Sequence, residues 1–312
     1  APPFWARRSA MEHFAGATKL NDKYDIDQAQ LLGRGKLSVV HRTRRRADGQ
    51  LVVLKKIEIF EMGKTERSEC MNEIELLRQM QHPHIISYLD CVVEDNALTL
   101  VMEAAEHGDL AGLIKRTAAS GAASLGEPLA WRYVSQISSA LAYMHERRVM
   151  HRDVKPANVF VTAPHTMKLG DLGLGRYFSS KTEQTHSNVG TPFYMSPECM
   201  QGRGYDFKSD IWSLGCLFYE LAMLRSPFFQ PGINFYMLGR RIMSRQFDPL
   251  RPEFTPEMGR LVDTMLQVGS SITPHSRYIQ RETPHIRQSP CAHMHTPTPT
   301  AGPTNTPLRT HA

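Results

Sequence analysis

Between Tyr24 and Met102 the apolar residues fall in short runs broken by polar or glycine-containing turns, a pattern that predicts strands. One run ends at Leu32, and others cover Ser38–His41 and Leu51–Ile59. Asp48-Gly49 between the last two is a hairpin signal, because a tight turn needs a residue that accepts positive φ. Residues 66–80 change period, with Met71, Ile74 and Leu77 near helical spacing. Two more strands are expected at Ile85–Leu89 and Ala97–Met102, separated by a turn at Glu94-Asp95-Asn96. Five strands and one helix make a small β-rich lobe. After Gly108 the apolar residues take helical spacing, as in the stripe Val134, Ile137, Leu141, Met144. Residues 210–224 form an apolar helical segment. Thr255-Pro256 reads as N-cap and first turn of a helix whose inner face is Met258, Leu261, Val262, Met265 and Leu266. The expected class is α+β, a small sheet lobe beside a larger helical one.

The ends read differently. Residues 1–23 are a weakly patterned extension, and the patterned domain covers 24–268. From Gly269 the chain is rich in Thr, Pro, Ser and His, so 269–312 is expected to be a disordered tail that buries too little apolar surface to offset its ordering entropy. The helical lobe therefore reads as truncated. The net charge of +6 changes the picture little. About half the excess lies in the tail (Arg277, Arg281, Arg287 and Arg309 against Glu282). The cluster His41, Arg42, Arg44, Arg45, Arg46 has no interleaved aromatics and reads as a solvated strand end, so no nucleic-acid partner is expected. No run approaches the roughly 20 apolar residues of a membrane helix, and no apolar segment of signal-peptide type accompanies Arg7 and Arg8. The five cysteines are odd in number and without CxxC spacing, which argues against a disulfide framework or structural zinc and for a reducing cytosol or nucleus.

Three segments carry candidate chemistry. Gly33-Arg34-Gly35-Lys36-Leu37-Ser38-Val39-Val40 spans a strand–turn–strand that lets backbone approach phosphates, with Leu32 and Val40 as apolar walls. Alone, such a GxG is more often a tight turn. A dinucleotide-binding reading fails because strands, not a helix, follow the glycines. Val53-Leu54-Lys55 follows on the next strand. Glu73, eighteen residues on, is placed to hold Lys55 extended toward phosphates. The third segment decides. His151-Arg152-Asp153-Val154-Lys155-Pro156-Ala157-Asn158, followed by Asp171-Leu172-Gly173, sets out the parts for phosphoryl transfer. Asp153 would accept the hydrogen of a substrate hydroxyl and Lys155 would neutralise the moving group. Asn158 and Asp171 offer hard oxygens to Mg²⁺.

From Tyr24 to about Val268 the chain resembles a protein kinase, with Ser196-Pro197-Glu198 and Asp210-Ile211-Trp212 as further matches. More narrowly it resembles the NIMA-related (NEK) kinases. The supporting stretches include Lys55–Met62, Asp171-Leu172-Gly173-Leu174-Gly175-Arg176 and Val189–Glu198. The resemblance implies a bilobal kinase fold, ATP with Mg²⁺, and Ser/Thr specificity marked by Lys155. It implies Met102 as gatekeeper, adenine on the backbone of Glu103 and Ala105, Val53 where a smaller alanine is usual, Thr191 seating the acceptor hydroxyl and Ser187 as an activating phosphosite. Expected partners are protein substrates with Ser/Thr acceptors and an upstream activating kinase. The chain is expected to be monomeric, with no membrane association. The family acts in mitosis, microtubule organisation and cilia, so a cytoplasmic location extending to cytoskeleton, centrosome or basal body is implied. Kinases of this type pair the carboxylate equivalent to Glu198 with a later arginine, for which Arg277 and Arg281 are the candidates. The rival reading is a catalytically weak kinase-fold scaffold.

Overall fold

The computed structural model describes residues 19–35, 38–59, 63, 74–75, 77–94, 97–171, 192–269 and 276–282. A short helix α1 (Leu20–Lys23) precedes five strands: β1 (Gln30–Arg34), β2 (Ser38–Arg44), β3 (Leu51–Glu58), β4 (Tyr88–Glu94) and β5 (Ala97–Glu103). They form one antiparallel sheet in the order β1-β2-β3-β5-β4. The β2–β3 turn is the expected one. Gly49 takes φ 71°, and the Asp48 carboxylate accepts from the backbone N–H of Gln50 and from Arg45. The neighbouring arginines are spent locally: Arg42 donates to Gln30, Arg44 to the Gly49 carbonyl, and Arg46 to Asp25 and the Asn21 carbonyl.

Period-2 alternation gives the sheet two faces. Val52, Leu54 and Val101 pack with Tyr24 on the outer face, in a small cluster of their own. Val53, Lys55 and Ile57 point the other way, toward the rest of the molecule. Residues 74–75 and 77–78 are helical, and Ile74 and Leu77 are buried there in the main core, as the periodicity predicts.

The helical lobe contains α2 (Leu110–Ala119), α3 (Glu127–Glu146), the hairpin β6 (Val159–Ala163) and β7 (Thr166–Leu169), α4 (Pro197–Met200), α5 (Phe207–Met223), α6 (Phe235–Met243), α7 (Pro256–Met265) and α8 (Ser276–Glu282). Helix starts are chemically marked. Asp109, Asn234 and Thr255 each accept a first-turn N–H at α2, α6 and α7, and Asp206 with Ser209 forms a capping box at α5. Helix α5 is buried along nearly its whole length. Its Gly215 faces α7 so closely that a Cβ there would lie 2.7 Å from the Met265 Cβ.

Three expectations are corrected. Strand β4 begins at Tyr88 rather than Ile85: Ile85 and Ile86 are buried at the lobe junction, where Ile86 N donates to the Leu169 carbonyl at 2.9 Å. The extension 1–23 is not patternless throughout. Lys23 pairs with Asp90 at 2.9 Å and Leu20 N donates to Glu94, so α1 docks on the sheet. The tail from residue 269 is not without structure either. Helix α8 packs on α3 with Ile279 fully buried, and the helical lobe continues past residue 268. A seven-residue helix carrying one inward apolar residue is invisible to a compositional reading of 44 residues.

Truncating a fully buried isoleucine removes its transfer free energy and leaves a cavity. Ile279→Ala is therefore expected to lower unfolding free energy by about 2–4 kcal/mol. Tyr278→Ala, at a side chain 46% exposed, should cost far less. Urea unfolding of the two variants beside the parent measures the difference, and equal small losses would show that α8 is not docked in solution.

Candidate active site

The loop 151–158 is held from below by one carboxylate. Asp210, in the first turn of α5 and fully buried, accepts from the backbone N–H groups of His151 and Arg152, both at 2.9 Å. It also accepts from His145 Nε2 at 2.8 Å and from the Tyr205 hydroxyl. Burial pushes the Asp210 carboxyl up, but His145 beside it, then His151 and Tyr205, outweigh that and hold it below the usual range. The two backbone bonds fix the loop while Arg152 sits at φ 70°, a left-handed conformation unfavourable for a side chain.

His151 joins this loop to the next. Its Nδ1 accepts from Asp153 N at 3.2 Å, so its Nε2 carries the proton and donates to the Gly170 carbonyl at 2.9 Å. Gly170 N in turn donates to the Asn158 carbonyl at 2.9 Å. No larger residue fits at 170, since a Cβ would stand 2.7 Å from the Phe160 ring. Asp171 follows at φ 57°, which turns its carboxylate back toward the sheet, where Lys55 Nζ meets Oδ1 at 2.7 Å.

The reactive side chains converge in front of these loops. Asn158 donates through Nδ2 to both the backbone carbonyl and Oδ2 of Asp153, each at 2.8 Å. Lys155 Nζ lies 2.7 Å from the same Oδ2. Asp153 Oδ1 has no partner among the described residues and faces solvent on a half-exposed side chain. A carboxylate oriented through one oxygen and open at the other can accept a hydrogen from an incoming hydroxyl.

On the sheet side, Val40 lies opposite Lys55, and Val53 opposite the buried Met102. Leu32 is 51% exposed at the mouth. Gly35 N donates to the Ser38 carbonyl at 2.7 Å, closing the glycine turn between Arg34 and Val39. Gly33 has open space around its Cα. Glu103 carries an ion pair to Lys168 at 2.6 Å, and no hydrogen bond engages the Ala105 backbone among the described residues. Lys36, Leu37, Glu73, Ser187 and Thr191 lie outside the described residues, so Asp171 is the observed partner of Lys55. Glu198 is half-buried and accepts from the Ser209 hydroxyl. Arg281 is exposed, which removes it as the expected partner, and the Arg277 side chain lies outside the described residues. His145, Tyr205 and Gly170 were not singled out in the sequence.

The family model for the protein kinase domain matches residues 26–280. The chain belongs to the protein kinase family. Curated relatives of this kinase domain are NIMA-related. It is 37% identical to a probable serine/threonine-protein kinase nek3 of Dictyostelium discoideum over 86% of the chain and 24% of that relative. It is 37% identical to serine/threonine-protein kinase Nek8 of Danio rerio over 85% and 37%, and to Nek2 of Mus musculus over 78% and 56%. The chain thus spans between about a fifth and three fifths of these and the other curated relatives it matches.

Kinases commonly use Mg²⁺, and the donor set here fits it. With both Nδ2 hydrogens of Asn158 on Asp153, its Oδ1 is left to accept, as is the Asp171 oxygen not engaged by Lys55. Both are hard oxygens, the kind this ion takes alongside phosphate and water. Among the described residues no group of three or more His, Cys, Asp or Glu forms a metal cage, which agrees with an ion bound partly by its substrate.

Histidines set the acid side of the stability profile. Burial, then His84 and Arg147, push His82 down to about 4, and burial also pushes His151 down. Unfolding returns both toward the ordinary value of 6.5, so below that value the unfolded chain binds more protons and stability falls as pH drops. Each contributes at most about 1.4 kcal/mol per pH unit. Glu220, raised by burial, works in the opposite sense and offsets part of the decline. Unfolding free energy is expected to fall between pH 6.5 and 4. His82→Asn should show a shallower fall in parallel denaturant titrations, and identical slopes would contradict a neutral, half-buried His82.

Proposed function

We propose that this chain is a serine/threonine protein kinase of NIMA-related type, transferring the γ-phosphate of ATP to hydroxyls of protein substrates. The observation that carries the reading is Asp153, held through Oδ2 by Asn158 and Lys155 with Oδ1 open, in front of an Asp171 already paired with Lys55 across the lobes. Asp153 accepts the hydrogen of the attacking hydroxyl, and Lys155 stands where negative charge on the transferred group needs a cation. Lys55 holds the phosphates, and the free backbone at Ala105 with that of Glu103 receives the adenine below Met102. Val53 narrows the adenine slot relative to a kinase with alanine there. Asn158 and Asp171 would hold Mg²⁺, which would supply positive charge to the phosphates.

Regulation and setting follow from the family resemblance. Phosphorylation of Ser187 by an upstream kinase would add about −1.5 to −2 charges. The Arg152 side chain, which has no partner among the described residues, is the cation nearest the catalytic Asp153 in sequence to receive it. A bulky apolar residue three positions before the acceptor is the preferred substrate pattern, with Thr191 seating the acceptor. The chain acts as a monomer in the cytoplasm, on cytoskeletal, centrosomal or basal-body substrates, in mitosis or ciliary function.

Asp153→Asn and Lys55→Met each remove charge aimed at the reacting groups without removing packing. Phosphate transfer to casein is expected to fall by about 10²–10⁴ in each, with the thermal midpoint nearly unchanged. A parent with no transfer above that of Asp153→Asn, yet folded, would instead favour the scaffold reading.

A further inference from the structure

Among the described residues, several exposed large apolar side chains gather around the start of α6. Phe229 is 43% exposed, Phe235 43%, Tyr236 72% and Met237 48%, while Leu238 and Ile242 of the same helix are buried. Contiguous exposed aromatics of this kind mark a surface that meets something other than water.

The charge around them has one sign. From Ser226 to Phe247 the chain holds Arg240, Arg241 and Arg245 and no carboxylate. Arg245 is engaged by Asp263 and the Leu266 carbonyl. Arg241 reaches Gln230 at 3.2 Å, but its Nε is buried without a partner. Arg240 has no partner among the described residues. It sits one turn beyond Tyr236, so ring and guanidinium lie on one helix face. The neighbouring segment after α4 adds Arg203, exposed, and is tied to α6 by Gln201 to Met243 Sδ at 3.4 Å. Glu198, in α4, is engaged by Ser209.

The surface also runs toward the cleft. The Phe229 ring meets Phe193 edge-on with centroids 5.6 Å apart, and Phe193 stands two residues after Thr191. The Phe193–Met195 segment is fixed to α5, where Ser213 Oγ donates to the Tyr194 carbonyl at 2.8 Å.

We propose that Phe229, Tyr236, Met237 and Arg240 form a docking surface for an acidic segment of the protein substrate that carries apolar side chains. The proposal rests on the reading of the chain as a protein kinase. A second copy of the chain fits less well, because a twofold contact through this face would set one basic surface against an equally basic one.

The test uses the full chain and two synthetic probes. One is a short serine acceptor peptide. The other is the same peptide joined by a flexible linker to a segment of glutamates interrupted by phenylalanine and leucine. The acidic extension is expected to lower KM by about fivefold or more at constant kcat. Tyr236→Ser combined with Arg240→Glu should abolish that gain while leaving the bare acceptor peptide unaffected. Arg44→Glu, on the distant sheet, should preserve it. No gain in the parent, or an equal gain in the double variant, overturns the proposal. So does a concentration-dependent dimer in sedimentation that Tyr236→Ser abolishes, which would make the occupant a second copy. Fluorescence anisotropy of the labelled acidic segment separates this from the kinase reading. If neither peptide is phosphorylated but the segment binds the parent and not the double variant, docking stands and catalysis fails. If the segment does not bind, docking fails whatever the activity.

Discussion

A buried carboxylate survives folding only when its lone pairs are filled, and the order of this active site descends from one such group. Asp210 is fully buried and takes four donors, two of them backbone N–H groups of the catalytic loop. Those two bonds hold His151 and keep Arg152 in a left-handed turn that its side chain disfavours. His151, placed by that turn, then reaches Asp153 N with one nitrogen and Gly170 O with the other. Gly170 bonds Asn158 and delivers Asp171. The catalytic groups are thus oriented by a chain of hydrogen bonds whose far end lies in the middle of the helical core.

That arrangement asks much of α5. A helix carrying an ionised group in the core must not shift, and α5 is clamped on every side. Gly215 lets α7 approach until backbone and Met265 nearly touch, Trp212 stacks on Phe228, and the Asp206–Ser209 box ends the helix sharply. The sheet lobe is held more lightly. Besides the backbone bonds at His84 and Ile86, the Lys55–Asp171 pair spans the cleft, with both side chains partly in water. A part-exposed pair of this kind contributes only on the order of 1 kcal/mol. It can therefore exchange its partner for a phosphate at small cost, which is what a nucleotide site between two lobes requires.

The candidate constellation could be read in the sequence because phosphoryl transfer demands particular side chains at short, fixed spacing. In the structure Asp153 meets Lys155 and Asn158, and Asp171 meets Lys55. The sheet was legible for a related reason, since alternation and the Asp48-Gly49 turn act locally. What escaped depends on contacts distant in sequence. Ile85 and Ile86 look like a strand start, yet they are taken by β7, more than eighty residues later. Gly170 shows its necessity only once Phe160 is seen beside it. Only the fold brings Asp210 to His145, from 65 residues away.

The same distance argument applies to α8. His145 donates Nε2 to Asp210, which leaves Nδ1 as an acceptor, and the Ser276 hydroxyl at the start of α8 lies 3.2 Å from it. Ser276 is itself buried, so this hydrogen bond is shielded from competing water. Ser276, at the start of α8, is therefore linked through His145 to the carboxylate that holds the loop 151–158. Composition marks that segment as tail. The hydrogen bonds join it to the network around Asp210.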